Sequence, residues 1–570
     1  MAKSVSTDGK QAARGKSASK LGISPDGIRS AGIRSAGIRS AGAAPWRGLA
    51  AAVLSALLGI AAYPPWGLWP LAFVAYVPLL AWIETERPTL RRAAQAGWLT
   101  GMLLHLSVYT FLVFTMQAMS GFPLWLAWLV HLIYAVAMGL HQALFAWAAR
   151  LLGETPAATA RQALLRVGAL ALLYAAIEFI VPFLFPWHLG NAFFRTPILM
   201  QPADLVGICG VSLLTMAFTA LLALALARPA LRKPLVASAA LLLGLWLGYG
   251  ALRLQQVAAT PVRRVLRTAL VQGNATIAEK LAEGKQRMAM MERAVKLTRA
   301  LDMSQLDLVI WPEGALPFFY PTDAVGEAAK VEAKLPTRAP PILRQMKQQV
   351  LDLVREINRP ILFGTLRRPD RMWIQEVRNA AILAFPDGHS QFYDKRILLP
   401  FGEYLPGTSL FPSLKEAIPG VSNMDPGTVS GLMTVAGTKL LVNICYEALF
   451  PAFLRREAGD ADVLVNLTND IWFGPDPAPT LHLMVQQARA VELRRPLLRS
   501  TVTGITVHVD AAGVLHEPTP LFSEATRRYD AQVRDIASPY RWWGDAPMWI
   551  LTLFAVALVA VQWRRRAPRT

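Results

Sequence analysis

Two cysteines in 570 residues, Cys209 and Cys445, rule out a disulfide framework. Cys209 lies inside an apolar run and Cys445 in a hydrophilic stretch. Histidine is also sparse: the eight are scattered, and no His-Glu-x-x-His or Cys-x-x-Cys spacing appears, so no metal site is indicated. There is no glycine-rich phosphate loop, and nothing else calls for a cofactor. Charged residues make up only 17% of the chain against 54% hydrophobic, a balance foreign to an ordinary soluble protein. Acidic residues are the scarcer sign, 38 against 58 Lys and Arg, giving a net charge of +20. Much of that excess lies in the first 47 residues, in short loops between apolar runs and at the C-terminus. No single aromatic-studded basic face emerges, so the charge points to membrane topology and away from nucleic acid.

Residues 1–45 are rich in Ala, Gly, Ser, Lys and Arg and repeat Gly-Ile-Arg-Ser-Ala three times from Gly27 to Ala41. With too few large apolar residues for a core, they are expected to form a disordered basic tail. Apolar runs of about 20 residues, the length of a bilayer-crossing helix, fall near 47–63, 66–83, 97–117, 123–149, 164–185, 204–227, 234–252 and 546–563. This predicts about eight spans, seven in a membrane domain over 46–255 and a last one at 546–563. Arg87, Arg91 and Arg92, then Arg150, Arg161 and Arg166, then Arg228, Arg232 and Lys233, and finally Arg564, Arg565 and Arg566 mark one side; the alternate loops hold only Arg195. The positive-inside rule then puts the tails 1–45 and 564–570 in the cytoplasm and the block 262–538 across the membrane.

That block is long enough for a domain with its own core. Strand patterns at 265–272, 306–311, 360–365, 379–385, 440–444, 463–467 and 497–509 alternate with helical patterns at 275–301, 342–357, 448–458 and 479–493. The alternation predicts an α/β layered domain. Cys445 follows the strand at 440–444 and precedes a helical run ending with Arg455 and Arg456, so it is expected at a strand-to-helix elbow. Helix-start amides there would lower the thiol pKa. Glu313 comes just past a strand, after Pro312, and Lys395 sits between apolar neighbours. Each has a plain alternative: a buried small thiol, a solvated loop carboxylate, a surface amine. Together they make an acyl-transfer set, in which the carboxylate takes the thiol proton and the ammonium stabilises thiolate and oxyanion. Phe318, Tyr320, Trp472 and Phe473, in the flanking loops, are expected either to line an acyl groove or to fill a satellite core.

Trp311-Pro312-Glu313, Tyr393-Asp394-Lys395 and Asn443-Ile444-Cys445-Tyr446-Glu447 resemble, in that order, the Glu, Lys and Cys motifs of the carbon–nitrogen hydrolase (nitrilase) superfamily. Phe401-Gly402-Glu403-Tyr404-Leu405-Pro406 and Asn466-Leu467-Thr468-Asn469-Asp470-Ile471-Trp472-Phe473-Gly474, with spans on both sides, narrow the resemblance to the apolipoprotein N-acyltransferases. The resemblance implies an αββα sandwich on the periplasmic side of a bacterial inner membrane. It implies that an acyl chain passes from a phospholipid to Cys445 as a thioester, then to the α-amine of a diacylglyceryl-modified apolipoprotein. Glu313 would be the general base, Lys395 the oxyanion partner and Cys445 the nucleophile, with Glu403, Tyr446 and Glu447 in support. No cofactor or metal is implied. Two departures stand out: Gln272-Gly273-Asn274 is followed by Lys280 and Leu281, with the lysine retained and the tryptophan usual in the family lost, and Glu178 lacks the basic neighbour usual in the family.

Two other readings remain open at this point. One is a membrane-tethered nitrilase-type amidase that uses the same triad with water as acceptor. The other is a transporter with a ligand-binding domain, against which the absence of an internal repeat and the few membrane charges speak.

Overall fold

The computed structural model describes residues 45–153, 156–181, 183–281, 285–321, 341–368, 377–408, 410–411, 413, 423–475 and 477–566. The basic tail expected over 1–45 lies outside them, Pro45 excepted, as do the last four residues of the C-terminal tail. The first half is helical: α1 (Pro45–Ala62), α2 (Val77–Glu86), α3 (Leu90–Val108), α4 (Phe111–Ser120), α5 (Leu124–Leu152), α6 (Ala160–Ile180), α7 (Ile208–Ala227) and α8 (Arg232–Ala259). Among the described residues, five helices are long and apolar enough to cross a membrane. The pair α3 and α4, bent by 54°, makes a sixth if it is one span, and α1 is a shorter apolar helix.

The run at 66–83, expected as a span, instead breaks into a 3-10 turn at Trp69–Phe73 and the 10-residue α2. Pro70 and Pro78, each at a helix start, deny the backbone a continuous ladder. Ten residues rise only about 15 Å, half of the hydrocarbon thickness.

Among the described residues, the hydrophilic block holds thirteen strands in two mixed sheets. In the first, the order is β13 (Ala525–Arg534), β1 (Val262–Gln272), β2 (Leu308–Ile310), β4 (Ile361–Arg368), β5 (Arg378–Ala384), β6 (Ser390–Asp394), with β3 (Phe319–Pro321) also paired to β4. In the second it is β12 (Leu515–His516), β11 (Val507–Val509), β10 (Leu497–Thr501), β9 (Val463–Thr468), β8 (Thr438–Ile444), β7 (Leu432–Val435). Strands β1, β2 and β4 run parallel, as do β3 with β4 and β8 with β9 and β10; the other pairs are antiparallel.

The two-residue period of a strand separates the layers. Leu308, Ile310 and Leu362 from the first sheet meet Leu440, Val442, Ile444, Val463 and Val465 from the second in one buried cluster. The alternate residues Val309, Ile361 and Phe363 face outward onto α9 (Lys285–Arg299) and α10 (Pro341–Ile357). Likewise Leu441 and Leu464 face α11 (Pro451–Ala458) and α12 (Ala478–Leu493). The result is the αββα sandwich that the motifs implied.

The sequence reading did not anticipate the short strands β3, β6, β7 and β12, and it differs from the structure in further details. The single strand expected at 497–509 is an antiparallel pair, β10 and β11. Strand β13 was not anticipated, because Arg528, Asp530 and Gln532 alternate with the buried Tyr529, Ala531 and Val533 and make it read as polar. That is the dress of an edge strand. The helix expected at 448–458 begins only at Pro451, and a five-residue 3-10 turn precedes it.

A final helix, α13 (Ala546–Arg566), packs Met548 against Ala175 of α6 and Cys209 of α7. The helical half and the sandwich are joined by buried polar contacts. Asp204 Oδ2 accepts from Arg494 Nη2 at 2.6 Å and Arg253 Nε at 2.7 Å, and Oδ1 from Tyr249 at 2.7 Å. Arg494 Nη1 also donates to Gln201 at 2.8 Å, and Glu492 Oε1 accepts the Ile208 amide that opens α7 at 2.9 Å. With Arg494 and Asp204 both fully buried, Arg494→Ala is expected to cost about 3–5 kcal/mol by stripping a buried pair of one partner. Thermal unfolding of the full-length protein should show this, while Arg299→Ala, at an exposed ion pair, leaves the midpoint unchanged. An Arg494→Ala protein as stable as wild type would show that the joint does not depend on this pair.

Candidate active site

Cys445 leaves β8 with φ of 50°, in the left-handed region where a side chain is strained, and opens the 3-10 turn Cys445–Leu449. Glu447 secures that turn. Its Oε2 accepts the Ile444 amide at 2.8 Å, while Oε1 accepts Tyr393 OH at 2.6 Å and the amides of Arg396 and Ile397 at 2.7 and 3.1 Å. One fully buried carboxyl therefore pins the cysteine turn to the loop that carries Lys395. Burial raises the Glu447 pKa, and these hydrogen bonds oppose the rise.

Lys395 follows β6, its amide bonded to Asn379 O at 2.8 Å and its side chain 1% exposed. Nζ lies 2.8 Å from Glu403 Oε2 and 3.9 Å from Glu313 Oε1. Burial alone would lower the lysine pKa, but the two carboxylates outweigh it and hold the ammonium well above its usual range. Asn379 Nδ2 donates to both carboxylates, to Glu313 Oε1 at 2.6 Å and Glu403 Oε1 at 2.7 Å. Glu313 has its pKa raised by burial, an effect that Lys395 opposes and Glu403 reinforces. Gly364 on β4 is needed beside it: a Cβ there would come 2.5 Å from Glu313 Cα.

The Cys445 thiol reverses one expectation. Burial raises its pKa, Glu313 adds to the rise, and Lys395 and a Thr468 hydrogen bond oppose it. The helix-start field invoked to lower it is missing, because a short 3-10 turn stands where the helix was expected.

The thiol opens on a cleft built from both halves of the chain. Phe111, Phe185 and Trp187 come from the helical half; Tyr446, Leu449 and Phe473 come from the sandwich. The Tyr446 hydroxyl donates to Leu184 O, and its ring meets Phe185 edge-on at 6.0 Å. Of the four proposed groove residues, only Phe473 lines the cleft, 5.8 Å from Phe111. Phe318 and Tyr320 are buried in the outer core of the first sheet, Tyr320 against Phe363 at 5.5 Å, and Trp472 packs with Ala275, Met290 and Val502.

Gln272 is fully used inside the fold, accepting from Thr501, Thr506 and Thr519 and donating to Pro520 O and Ser523 O. Glu178 does have a basic neighbour, His188, whose Nδ1 is 3.5 Å from Oε2. Sequence reasoning missed Asn379 altogether. It also missed the buried His482, which lines the cleft and leans on Asp470 at 2.8 Å, itself held by Arg499 at 2.5 Å.

A buried thiol, ammonium and carboxylate in an αββα sandwich, carried by a chain of apolar helices, define a membrane protein of the carbon–nitrogen hydrolase class. Residues 267–555 match the carbon–nitrogen hydrolase family. Residues 55–221 match the N-terminal domain of apolipoprotein N-acyltransferase. An apolipoprotein N-acyltransferase of Geobacter metallireducens is 29% identical over 92% of this chain and 97% of its own length, and one of Bdellovibrio bacteriovorus is 30% identical over 83% and 86%. A solved amidase from Nesterenkonia sp. overlaps 51% of this chain and 98% of its own at 17% identity, with a TM-score of 0.35. The chain belongs to the apolipoprotein N-acyltransferase family and is an acyltransferase, which removes the transporter reading.

Because a single Asn379 amide bridges both carboxylates, Asn379→Ala is expected to slow acyl transfer on the order of tenfold or more while the protein stays folded. Steady-state rates and near-UV circular dichroism on the same preparation decide this. An Asn379→Ala enzyme with wild-type turnover would show that the bridge has no part in the reaction.

Proposed function

We propose that this chain N-acylates the S-diacylglyceryl cysteine at the N-terminus of apolipoproteins, taking the acyl group from a phospholipid through a thioester on Cys445, the final step of bacterial lipoprotein maturation. The observation that carries this reading is the placement of Cys445 between an apolar cleft and the buried Lys395, Glu313 and Glu403 cluster. Glu313 takes the thiol proton as sulfur attacks the ester carbonyl. The C–S bond forms, and Lys395 stabilises the tetrahedral oxyanion. Collapse breaks the ester C–O bond, and the proton on Glu313 passes to the departing lysophospholipid oxygen. In the second half the lipoprotein amine attacks the thioester, the amide C–N bond forms and the C–S bond breaks. The amine proton travels by way of Glu313 back to sulfur. Glu403 positions Lys395, while Tyr446 and Glu447 hold the shape of the cysteine turn. A carboxyl whose proton affinity is already raised suits a base that must both take and return a proton. The apolar lining of the cleft favours an amine held by a lipid over water as acceptor.

Incubated with phospholipid alone, the full-length protein should gain the mass of one fatty acyl group on Cys445, discharged when an amine-terminated diacylglyceryl peptide is added. Cys445→Ala should form no adduct, and Lys395→Ala should form it on the order of 100-fold or more slowly. Adduct formation needs ionised Glu313, whose pKa is raised from 4.5. The rate should therefore fall as pH drops through a value above the usual carboxylate range, a limb that Glu313→Gln lacks. Steady release of free fatty acid without acceptor, unaltered by the peptide, would mean that water is the acceptor and the protein an amidase-type hydrolase.

The sandwich is placed on the periplasmic side of the inner membrane, a reading supported by Arg232 and Lys233 at the start of α8 and Arg564 to Arg566 at the end of α13. Reporter fusions within 262–538 should read periplasmic and fusions after Arg566 cytoplasmic. The opposite result would overturn the orientation.

A further inference from the structure

The wall of the thiol cleft carries an imidazole, His482, for which the proposed reaction has no use. It projects from α12 and is held by three neighbours. Nδ1 donates to Asp470 Oδ1 at 2.8 Å, Gln486 Nε2 donates to Nε2 at 2.8 Å, and Phe473 meets the ring edge-on at 5.9 Å. Asp470 is itself fully buried and fixed from behind: Arg499 Nη2 donates to its Oδ2 at 2.5 Å, and Arg499 Nε donates to Ile505 O at 3.2 Å. The fold makes room for that carboxylate at Gly504, where a Cβ would come 2.0 Å from Asp470 Oδ2. Burial, and after it Arg499, lower the His482 pKa and favour the neutral ring. With its proton on Nδ1 toward Asp470, that ring has one lone pair, on Nε2, and Gln486 fills it. Neither nitrogen is left for a substrate. His482 is therefore no second base, and its part lies in what the ring touches.

It touches the nucleophile. The ring meets the Cys445 carbonyl, in the peptide group that follows the left-handed φ of 50°. A side chain in that region is strained and stays there only while its surroundings over-determine it. Before Cys445, the Ile444 amide is tied to Glu447 at 2.8 Å. After it, the carbonyl accepts from Asn466 Nδ2 at a long 3.3 Å, and that amide is already committed to Asn443 Oδ1 at 2.7 Å. The imidazole adds a restraint from the cleft side. We infer that His482, made rigid by Asp470 and Arg499, is a positioning residue: it blocks rotation of the Cys445–Tyr446 peptide and so keeps the sulfur beside Lys395 and Glu313. Without the ring, Cys445 is free to relax toward negative φ, which swings its side chain away from both groups. The inference rests on the thioester reading above.

The test follows adduct formation on Cys445 and its discharge to a diacylglyceryl peptide in the full-length protein, over a range of phospholipid concentrations. His482→Phe keeps an aromatic wall and leaves Asp470 answered by Arg499. It should lower the saturating rate of both half-reactions on the order of tenfold or more, as a displaced nucleophile does, with the half-saturating phospholipid concentration unchanged. A ring that served only as cleft wall would do the reverse and weaken lipid binding alone. Gly504→Ala pushes on Asp470 from a residue that does not line the cleft and should reproduce the same split. The two substitutions combined should cost little more than the larger of them, because both act through one contact. Thermal midpoints establish that each variant is folded. Should the phenylalanine variant not fold, His482→Gln takes its place, and should Gly504→Ala not fold, the His482 variant decides alone. Wild-type saturating rates in a folded His482 or Gly504→Ala variant, or a loss confined to the half-saturating concentration, would overturn the inference. Absence of any adduct in the wild type would instead contradict the thioester reading itself.

Discussion

An ammonium buried to 1% exposure persists only if its charge is answered, and at Lys395 it is answered twice. Glu403 alone, at 2.8 Å, would balance the charge. Glu313, at 3.9 Å, is a second carboxylate in the field of one ammonium, and the surplus negative charge adds to the rise in its pKa that burial begins. The proton acceptor of the proposed reaction and its oxyanion partner thus arise from one arrangement. Asn379 keeps the two carboxylates from separating, and Glu447 keeps the cysteine turn in register with the lysine loop. The same surplus acts on Cys445, where Glu313 adds to the rise in thiol pKa that burial causes.

The sandwich supplies these groups but not the whole cleft. Phe111, Phe185 and Trp187 close it from the helical half, so the geometry depends on how firmly the two halves are joined. The buried contacts of Asp204 with Arg494 and Arg253, and of Glu492 with the start of α7, set that placement at the far end of α12 from His482 in the cleft wall. An acyl chain in such a cleft is shielded on one side by helices that lipid already surrounds.

Much of this was legible in the sequence. Glu313 and Cys445 follow strand patterns, Lys395 sits between apolar neighbours and Glu403 was reached through its motif, and the structure gathers the two carboxylates around the lysine beside the thiol. Asn379 was not legible, because its importance comes from lying beside Asp394 and Lys395 across the β5 and β6 register, which no local pattern reports. Phe318 and Tyr320 misled because aromatic residues after a turn serve an outer core as readily as a groove, and only the pairing of β3 with β4 decides between them. The thiol pKa was misjudged because apolar spacing does not distinguish a 3-10 turn from the first turn of a helix. The run at 66–83 has the hydropathy of a span, but its prolines break it.

The account requires that the thioester be kept from water by a wall to which the helical half contributes. The most direct measurement is to acylate Cys445, remove the donor, and follow loss of the adduct over time in wild type and in Phe185→Ala, with no acceptor present. The wild-type adduct should persist, and the Phe185→Ala adduct should decay to free fatty acid several times faster while still forming from phospholipid. Rapid hydrolysis in the wild type, no slower than in Phe185→Ala, would contradict the account.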